Sequence, residues 1–435
     1  MPDAECKNML ILVNPYLSPL FHRLIAKLTY GKTIPFSFHI LSALTPGDYK
    51  IKIFNQRFFW KKDDFEKGAL IGITCFTMNA DQAYKLADRF RKSGAKVVIG
   101  GPHASCLPDE ALQHADSVVV GEAESVWSDV LKDYESGNLK KKYAGVPLDD
   151  YFSPVFDHFL KLDPRFFLSA GVLVSRGCKY RCDFCARPEQ KLRFVKTEQV
   201  IELLKRIKGI QRPFFMPKPM FMFKDDGIFT SPAYAKELFR QMIPLKMKWA
   251  CQSTLDIAFD DEALRLAKES GCTCIGIGFE TIYPEDYEKT SLRGVSSYGD
   301  YFKAIRNIKS HGIRVFGHFI LGFDHYTRSD YIKLLRFLAR SGLWFTSLTL
   351  LTPTPGSQLF ERLKQEGRIT TFDWRNYYYF FNVVFKPKHM SAFELKCWFF
   401  LIRTVSLLFS PYILILVIVS LLLYFISYQI SSYIF

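Results

Sequence analysis

Little in this chain of 435 residues suggests export. Residues 1–20 lack the basic start, apolar run and small-residue cleavage site of a secretory leader in that order. The ten cysteines are therefore read as reduced, cytoplasmic thiols and not as a disulfide framework. A repeat period, a long basic arm and a low apolar content are also missing, which excludes a repeat array and a disordered chain and gives no reason to expect nucleic-acid binding. The sharpest deficit is charge at the end of the chain. The 32 residues after Arg403 carry none, although the whole chain has a formal net charge of +15. A basic surface beside an uncharged tail suggests an anionic membrane surface before it suggests nucleic acid.

What is present begins with that tail. "LLFSPYILILVIVSLLLYFIS", from Leu407 to Ser427, is long enough to cross the ~30 Å hydrocarbon core as a helix. The chain is expected to carry a single C-terminal transmembrane segment over 405–428, with a re-entrant or in-plane segment as the alternative and Pro411 as a kink or a start. Lys386, Lys388, Lys396 and Arg403 precede it and no charge follows, so the body of the protein is expected on the cytoplasmic side.

Upstream, short β-branched runs alternate with helical patterns. "MLILV", "YKIKIF", "ALIGITCF", "KVVIGG" and "SVVVG" read as strands. "NADQAYKLADRFRKSG" reads as a helix capped by Thr77 or Asn79 and stopped by Gly94, and "PHASCLPDEALQHA" as a loop. This predicts an α/β fold that opens with a doubly wound, Rossmann-like parallel sheet over 1–145. Ligands of such sheets sit at the strand carboxyl ends, here Thr74 to Thr77, Gly100 to His103 and Gly121-Glu122. Periodicity is lost after residue 136, and 146–166 reads as a linker. Six further strand-and-helix units over 167–370, from "AGVLVS" to "WFTSLTLLTPTPGS", suffice for a partial (β/α)6 TIM-like barrel with its active face at the strand carboxyl ends. An aromatic and basic extension, 371–404, containing "NYYYFFNVVF", leads to the tail; its aromatics either shape a substrate site or rest at a membrane interface.

After the first of these later strands comes "SRGCKYRCDFCARP", with Cys178, Cys182 and Cys185 inside eight positions. Three thiolates with no second CxxC pair at finger or ribbon distance argue against a closed zinc site and for an iron–sulfur cluster with one open iron. Cys272 and Cys274 alternate in "CTC", which points both to one face of a strand in a structural role.

CxxxCxxC with an aromatic before the third cysteine, Phe184, resembles the radical S-adenosylmethionine enzymes. The resemblance implies that Cys178, Cys182 and Cys185 hold a 4Fe-4S cluster and that S-adenosylmethionine occupies its fourth iron. A reductant such as flavodoxin or ferredoxin would then drive cleavage of S-adenosylmethionine to a 5′-deoxyadenosyl radical. By the same resemblance Phe184, Asp225 and Asp226 in "FKDDG", Gln252 (with Ser253) in "WACQST" and Glu280 in "GIGFET" are candidates for binding S-adenosylmethionine. For the two aspartates a helix-capping role is the alternative. "VVIGGPHASCLPDEALQHADSVVVGEAESVW" resembles the cobalamin-binding domain of one branch of this family. That implies cobalamin at Thr74, Thr77, Gly100, Gly101, Gly121 and Glu122. The DxHxxG signature with its cobalt-ligating histidine is absent; His22, His39 and His103 have no such spacing.

The expected activity is thus cobalamin-dependent methylation of an unactivated carbon, with a lipid or other hydrophobic substrate suggested by the tail. Radical cyclisation, oxidation or carbon–carbon coupling is an alternative use of the same machinery. A methylthiotransferase would need a second cluster, for which Cys6, Cys75 and Cys106 are available, but its RNA-binding barrel has no counterpart here. A membrane-tethered iron–sulfur or corrinoid binding module is the non-enzyme alternative.

Overall fold

The computed structural model describes residues 8–16, 34–55, 67–186, 190–210, 220–283 and 297–408. The chain packs as two units, Met1–Asp226 with Thr352–Tyr378 and Gly227–Leu351 with Tyr379–Phe435.

The first unit holds a parallel sheet of β1 (Asn8–Asn14), β2 (Tyr49–Asn55), β3 (Leu70–Thr74), β4 (Lys96–Gly100), β5 (Ser117–Gly121) and β6 (Lys142–Gly145), in the order β2-β1-β3-β4-β5-β6. Strand alternation sends Ile11, Val13, Ile71, Ile73, Val97 and Ile99 to one face, where they pack with Ala83, Leu86 and Phe90 of the helix Ala80–Lys92. Leu10, Leu12, Leu70, Val98 and Val119 pack on the other face with Phe38, Trp127, Val130 and Leu131. Strand order reverses between β1 and β3, which makes the carboxyl ends of β1, β3 and β4 the crevice of a doubly wound sheet.

Two stretches expected to be irregular are ordered. "PHASCLPDEALQHA" forms the short helices Pro102–Cys106 and Pro108–His114. Each starts with proline at its first position, where the missing N–H costs nothing, and Asp109 and Glu110 sit in the first turn of the second. The expected linker 146–166 contains the helix Phe156–Lys161, with Tyr151, Phe152 and Phe159 buried and Phe159 stacked on Phe36 at 4.6 Å. Its order comes from aromatic burial, which leaves no helical or strand period to read.

β7 (Ser175–Cys178) and β8 (Gln190–Phe194) form an antiparallel ribbon, and β9 (Met220–Met222) follows in the same unit. The run "AGVLVS", expected as the first barrel strand, is reduced to a parallel bridge between Val172 and Phe223.

The second unit contains β10 (Lys248–Ser253), β11 (Cys272–Glu280), β12 (Arg314–Leu321) and β13 (Phe345–Leu350), each parallel to the next. Amphipathic helices Asp261–Glu269, Tyr298–Ser310 and Arg328–Ser341 connect them. Trp249, Ile275, Ile277, Val315, Phe319, Leu348 and Leu350 lie in the core, and the alternate positions form a less buried, polar-containing face. The register slips between Trp249 and Ala250, so Cys272 lies opposite buried Trp249 and Cys274 opposite half-buried Ala250. The bulge therefore separates two cysteines whose spacing predicted a common face. Within "NYYYFFNVVF", Tyr377, Tyr378, Val384 and Phe385 are buried as core residues.

The apolar run Leu407–Ser427 and the expected membrane segment 405–428 lie almost wholly outside the described residues, as does His22. Among the described residues no helix is long and apolar enough to cross a membrane.

Candidate active site

Gly177, with φ +87°, sits between Arg176 and Cys178 and lets β7 break into the cysteine loop at the point where the ribbon register also shifts. Cys178 and Cys182 are half-buried and Cys185 is exposed, and all three are free thiols. The Cys185 N–H donates to the Cys182 carbonyl at 3.0 Å, which folds the second half of the motif into a turn with half-buried Phe184 inside it. Asp183 is held from outside. Its carbonyl accepts from the Leu359 N–H at 2.8 Å, and Arg362 lies 3.8 Å from its carboxylate. Gly356, φ +89°, fits against the Cys106 sulfur and the Ala186 carbonyl, where a Cβ has no room. The segment after Thr352 is therefore a brace for the cysteine loop.

Among the described residues no three His, Cys, Asp or Glu side chains converge on a single metal ion. Three free thiols in one partly open loop fit the donor set of an iron–sulfur cluster.

Asp225 lies at the end of β9 and is buried. Its Oδ1 accepts from the Val174 N–H at 3.0 Å, from the Ser175 N–H, and from the Ser175 hydroxyl at 2.6 Å, so it sets the start of β7. It caps no helix, which removes that alternative. Its Oδ2 is buried without a partner. Burial raises the carboxyl pKa to about 6 against the pull of these hydrogen bonds. A carboxylate left half-satisfied in this way fits an incoming ammonium, such as the amino group of S-adenosylmethionine. Asp226 is exposed.

In the second unit Glu280 ends β11 with φ +58°, a left-handed conformation rare for glutamate. Its carboxyl folds back over Gly278, whose missing side chain provides the room. Burial alone raises its pKa to about 7, and no partner offsets that among the described residues. Gln252 is half-buried beside Gly276, while Ser253 is buried with its hydroxyl donating to the Thr254 carbonyl at 3.1 Å. One residue on this face escaped the sequence reading: His318 of β12. Its Nε2 is buried without a partner above Gly276, and burial lowers its pKa to about 4, which keeps it neutral. The signal available was the pairing of GxG on β11 with a histidine in register on β12, where His318 faces Gly278.

At the ends of the first sheet, Gly101 has φ +101°, and a Cβ there would meet Thr74 Oγ1 at 3.1 Å and the Cys75 backbone at 2.9 Å. Gly121, φ +84°, lies against the Gly145 carbonyl, and its N–H donates to Ser105 Oγ at 3.0 Å. Gly100 has only ordinary contacts. Phe76 projects beyond β3 with 44% of its surface exposed. The missing side chains of Gly101 and Gly121 make room for the Cys75 and Gly145 backbone, so both glycines let the chain pack closely at the strand ends, and exposed Phe76 leaves apolar surface there that fits a broad ligand such as a corrin. Thr77 Oγ1 lies 3.1 Å from His103 Nδ1, and His103 Nε2 lies 3.3 Å from Glu110. Both nitrogens of that buried ring have protein partners, so His103 is not placed as a metal ligand. Glu110 also accepts from Trp374 at 2.7 Å and Tyr84 at 2.9 Å.

Glu122 is committed elsewhere. It accepts from Arg193 at 2.9 and 2.5 Å and from Arg176 at 3.4 Å, and Arg176 donates to Glu124 at 2.7 Å. Arg176 also lies 4.4 Å over the Tyr151 ring. Burial would raise the Glu122 pKa, and the two guanidiniums outweigh it and hold it below the usual carboxylate range. This clamp joins the end of β5 to the strand that enters the cysteine loop.

Comparison with known proteins agrees with this geometry. The Radical SAM superfamily model matches residues 172–338 and the B12 binding domain model matches residues 63–131. The chain is 31% identical, over 76% of its length and 73% of the relative's, to bacteriochlorophyllide d C-12(1)-methyltransferase of Chlorobaculum tepidum. It is 25% identical to the hopanoid C-2 methylase of Rhodopseudomonas palustris, over 77% and 65% of the two chains. Among solved structures, the radical S-adenosylmethionine methyltransferase TsrM from Kitasatospora setae, with cobalamin and a [4Fe-4S] cluster bound, shares the fold. It has a TM-score of 0.63 at 16% identity and covers 82% of this chain and 75% of its own. The cobalamin-dependent enzyme OxsB does so with a TM-score of 0.60 at 17% identity, over 78% and 53%. With a three-cysteine loop and these relatives, the chain belongs to the radical S-adenosylmethionine superfamily, as a cobalamin-dependent methyltransferase whose barrel follows a B12-binding domain.

Proposed function

We propose that this methyltransferase modifies an unactivated carbon of a large hydrophobic ring system drawn from a membrane. The observation that carries the reading is that relatives act on a bacteriochlorophyllide and on a hopanoid, both bulky apolar rings, while this chain adds an uncharged tail over 405–428. The uncharged tail and the cations before it support a reading in which the protein sits at a bilayer with its body on the cytoplasmic side, its functions divided over 1–145, 146–166, 167–370 and 371–404.

When bound, the cluster supplies the electron that breaks the sulfonium, and the corrinoid supplies the methyl group. The chain's own residues hold and orient. Cys178, Cys182 and Cys185 are the thiolate ligands of the cluster, and Phe184 shields it within the turn. Asp225 orders the strand before the loop through Oδ1 and offers Oδ2 to the cationic amino group, with Asp226 beside it. Gln252 and Glu280 serve the rest of S-adenosylmethionine, and Glu280, with a pKa near 7, can meet a ribose hydroxyl as donor or acceptor. Thr74, Thr77, Gly100, Gly101 and Gly121 form the corrinoid crevice, and Glu122 acts through the arginine clamp. A flavodoxin or ferredoxin is the expected reductant.

The test is mass spectrometry of total lipid and pigment extracts from cells with and without the gene, grown on methyl-deuterated methionine. A hydrophobic ring compound carrying the deuterated methyl only when the gene is present is expected. Label confined to water-soluble products would refute the substrate class.

A further inference from the structure

The helix Ala392–Leu408 is apolar on two opposite sides. One side is buried in the second unit. Leu395, Phe399 and Ile402 are fully covered; Trp398 stacks on Tyr331 at 5.5 Å, and Glu394 accepts from Arg328 at 2.9 Å. Leu395 fills the space left by Gly322, where a Cβ would come within 2.9 Å of it. The helix is thus fixed on the body and its outward face is set.

That face carries Phe393, Cys397, Phe400, Leu401, Thr404 and Leu408, all exposed and none charged. Phe393 and Leu408 expose 76% and 77% of their surface, and Phe400 and Leu401 expose 44% and 48%. The spacing of three and four residues makes this a single stripe along the full length of the helix. A surface helix normally turns such a stripe inward, and a continuous exposed one marks an interaction surface. Lys396 borders it, half-exposed and with no ion pair among the described residues, while the Arg403 guanidinium is turned inward over Phe380 at 5.6 Å and buried Phe399 at 5.8 Å. An uncharged stripe bordered by an unpaired lysine complements lipid acyl chains below anionic headgroups. The chain continues from the end of the stripe into residues 409–435 without a single charge.

We infer that the outward stripe of Ala392–Leu408 lies in the headgroup boundary of an anionic bilayer and seats the enzyme body on it, so that substrate reaches the protein from the lipid phase. This rests on the membrane placement of the tail proposed above, and goes beyond it by assigning a contact surface on the body.

Cys397, in the middle of the stripe, is a built-in probe. Full-chain protein is mixed with phosphatidylcholine vesicles with or without phosphatidylglycerol, floated on a gradient, and alkylated, with peptide-resolved mass spectrometry of Cys397. With phosphatidylglycerol the alkylation rate is expected to fall about tenfold, equivalent to roughly 1.4 kcal/mol of protection. Phe400→Glu with Leu401→Glu should restore the free rate while the protein still floats, with the thermal midpoint checked to show that folding is intact. Protein that floats with Cys397 reacting at its free rate would sink the stripe and leave the tail standing. Protein that does not float would overturn both. Protection without vesicles, with or without doubling of the sedimenting mass, would assign the stripe to a second copy or to the tail itself and overturn the proposal.

Discussion

Glu122 in the first unit accepts three hydrogen bonds from Arg176 and Arg193, whereas Glu280 in the second unit has none among the described residues. Both carboxyls lose water, yet their pKa values move in opposite directions: Glu122 down because the guanidiniums outweigh burial, Glu280 up to about 7 because nothing does. Asp225 combines both behaviours, with one oxygen fully used by Val174 and Ser175 and the other unpartnered. The contrast separates scaffold from site. A buried polar group that the protein satisfies itself holds chain segments together, and one left unsatisfied costs stability that a ligand can restore.

The largest expected effect comes from breaking the satisfied group. Arg193→Ala leaves the Glu122 carboxylate buried without its main partner and should cost about 3–5 kcal/mol. Chemical denaturation of the apo-protein checks this. Replacing both partners, Glu122→Leu with Arg193→Met, should recover most of the loss, because the penalty comes from an uncompensated charge. No recovery would mean that the clamp stabilises by packing and not by pairing.

The opposite sign is expected at Glu280. Its folded pKa is raised from 4.5 to about 7, so the native state holds the proton more tightly and stability falls as pH rises between those values. Glu280→Gln should therefore stabilise the ligand-free protein by roughly 2 kcal/mol above neutral pH and by nothing below the unfolded pKa. A Tm-versus-pH series of both proteins measures the difference. A destabilised variant at alkaline pH would show that Glu280 has a partner after all.

Gly101→Ala should cost about 1–2 kcal/mol from its left-handed backbone and crowd Cys75. Cobalamin retained after gel filtration should fall further than stability does, because the same backbone lines the crevice. Equal losses of both would make Gly101 merely structural. The effect at His318 is confined to acid. It stays neutral when folded, down to about pH 4, while the unfolded chain takes a proton below about 6.5, so stability drops as pH falls through that window. His318→Gln should flatten this acid limb and leave stability above about pH 6.5 unchanged in its pH dependence, as read from urea midpoints.

How far the sequence showed this depends on the range of the interaction. The strands β10 to β13, their amphipathic helices and the cysteine loop were legible because each is written in local periodicity or spacing. The helices at Pro102 and Pro108 were hidden by prolines that read as breakers but sit at first helical positions. The Arg176–Glu122–Arg193 clamp joins residues 54 and 71 positions apart, which no local pattern encodes. Glu122 was therefore read as a ligand contact when its carboxylate is bound by protein. His318 was missed for the same reason: a histidine in a strand is unremarkable until the neighbouring strand supplies glycines under it.

The most direct measurement uses full-chain protein reconstituted anaerobically with iron, sulfide and cobalamin, a reductant, methyl-deuterated S-adenosylmethionine and a hydrophobic extract of cells lacking the gene. Deoxyadenosine and a deuterated-methyl product should form together, both should vanish in Cys182→Ala, and the methyl product should vanish when cobalamin is left out. Methyl transfer that survives in Cys182→Ala, or that proceeds equally without cobalamin, would contradict the account.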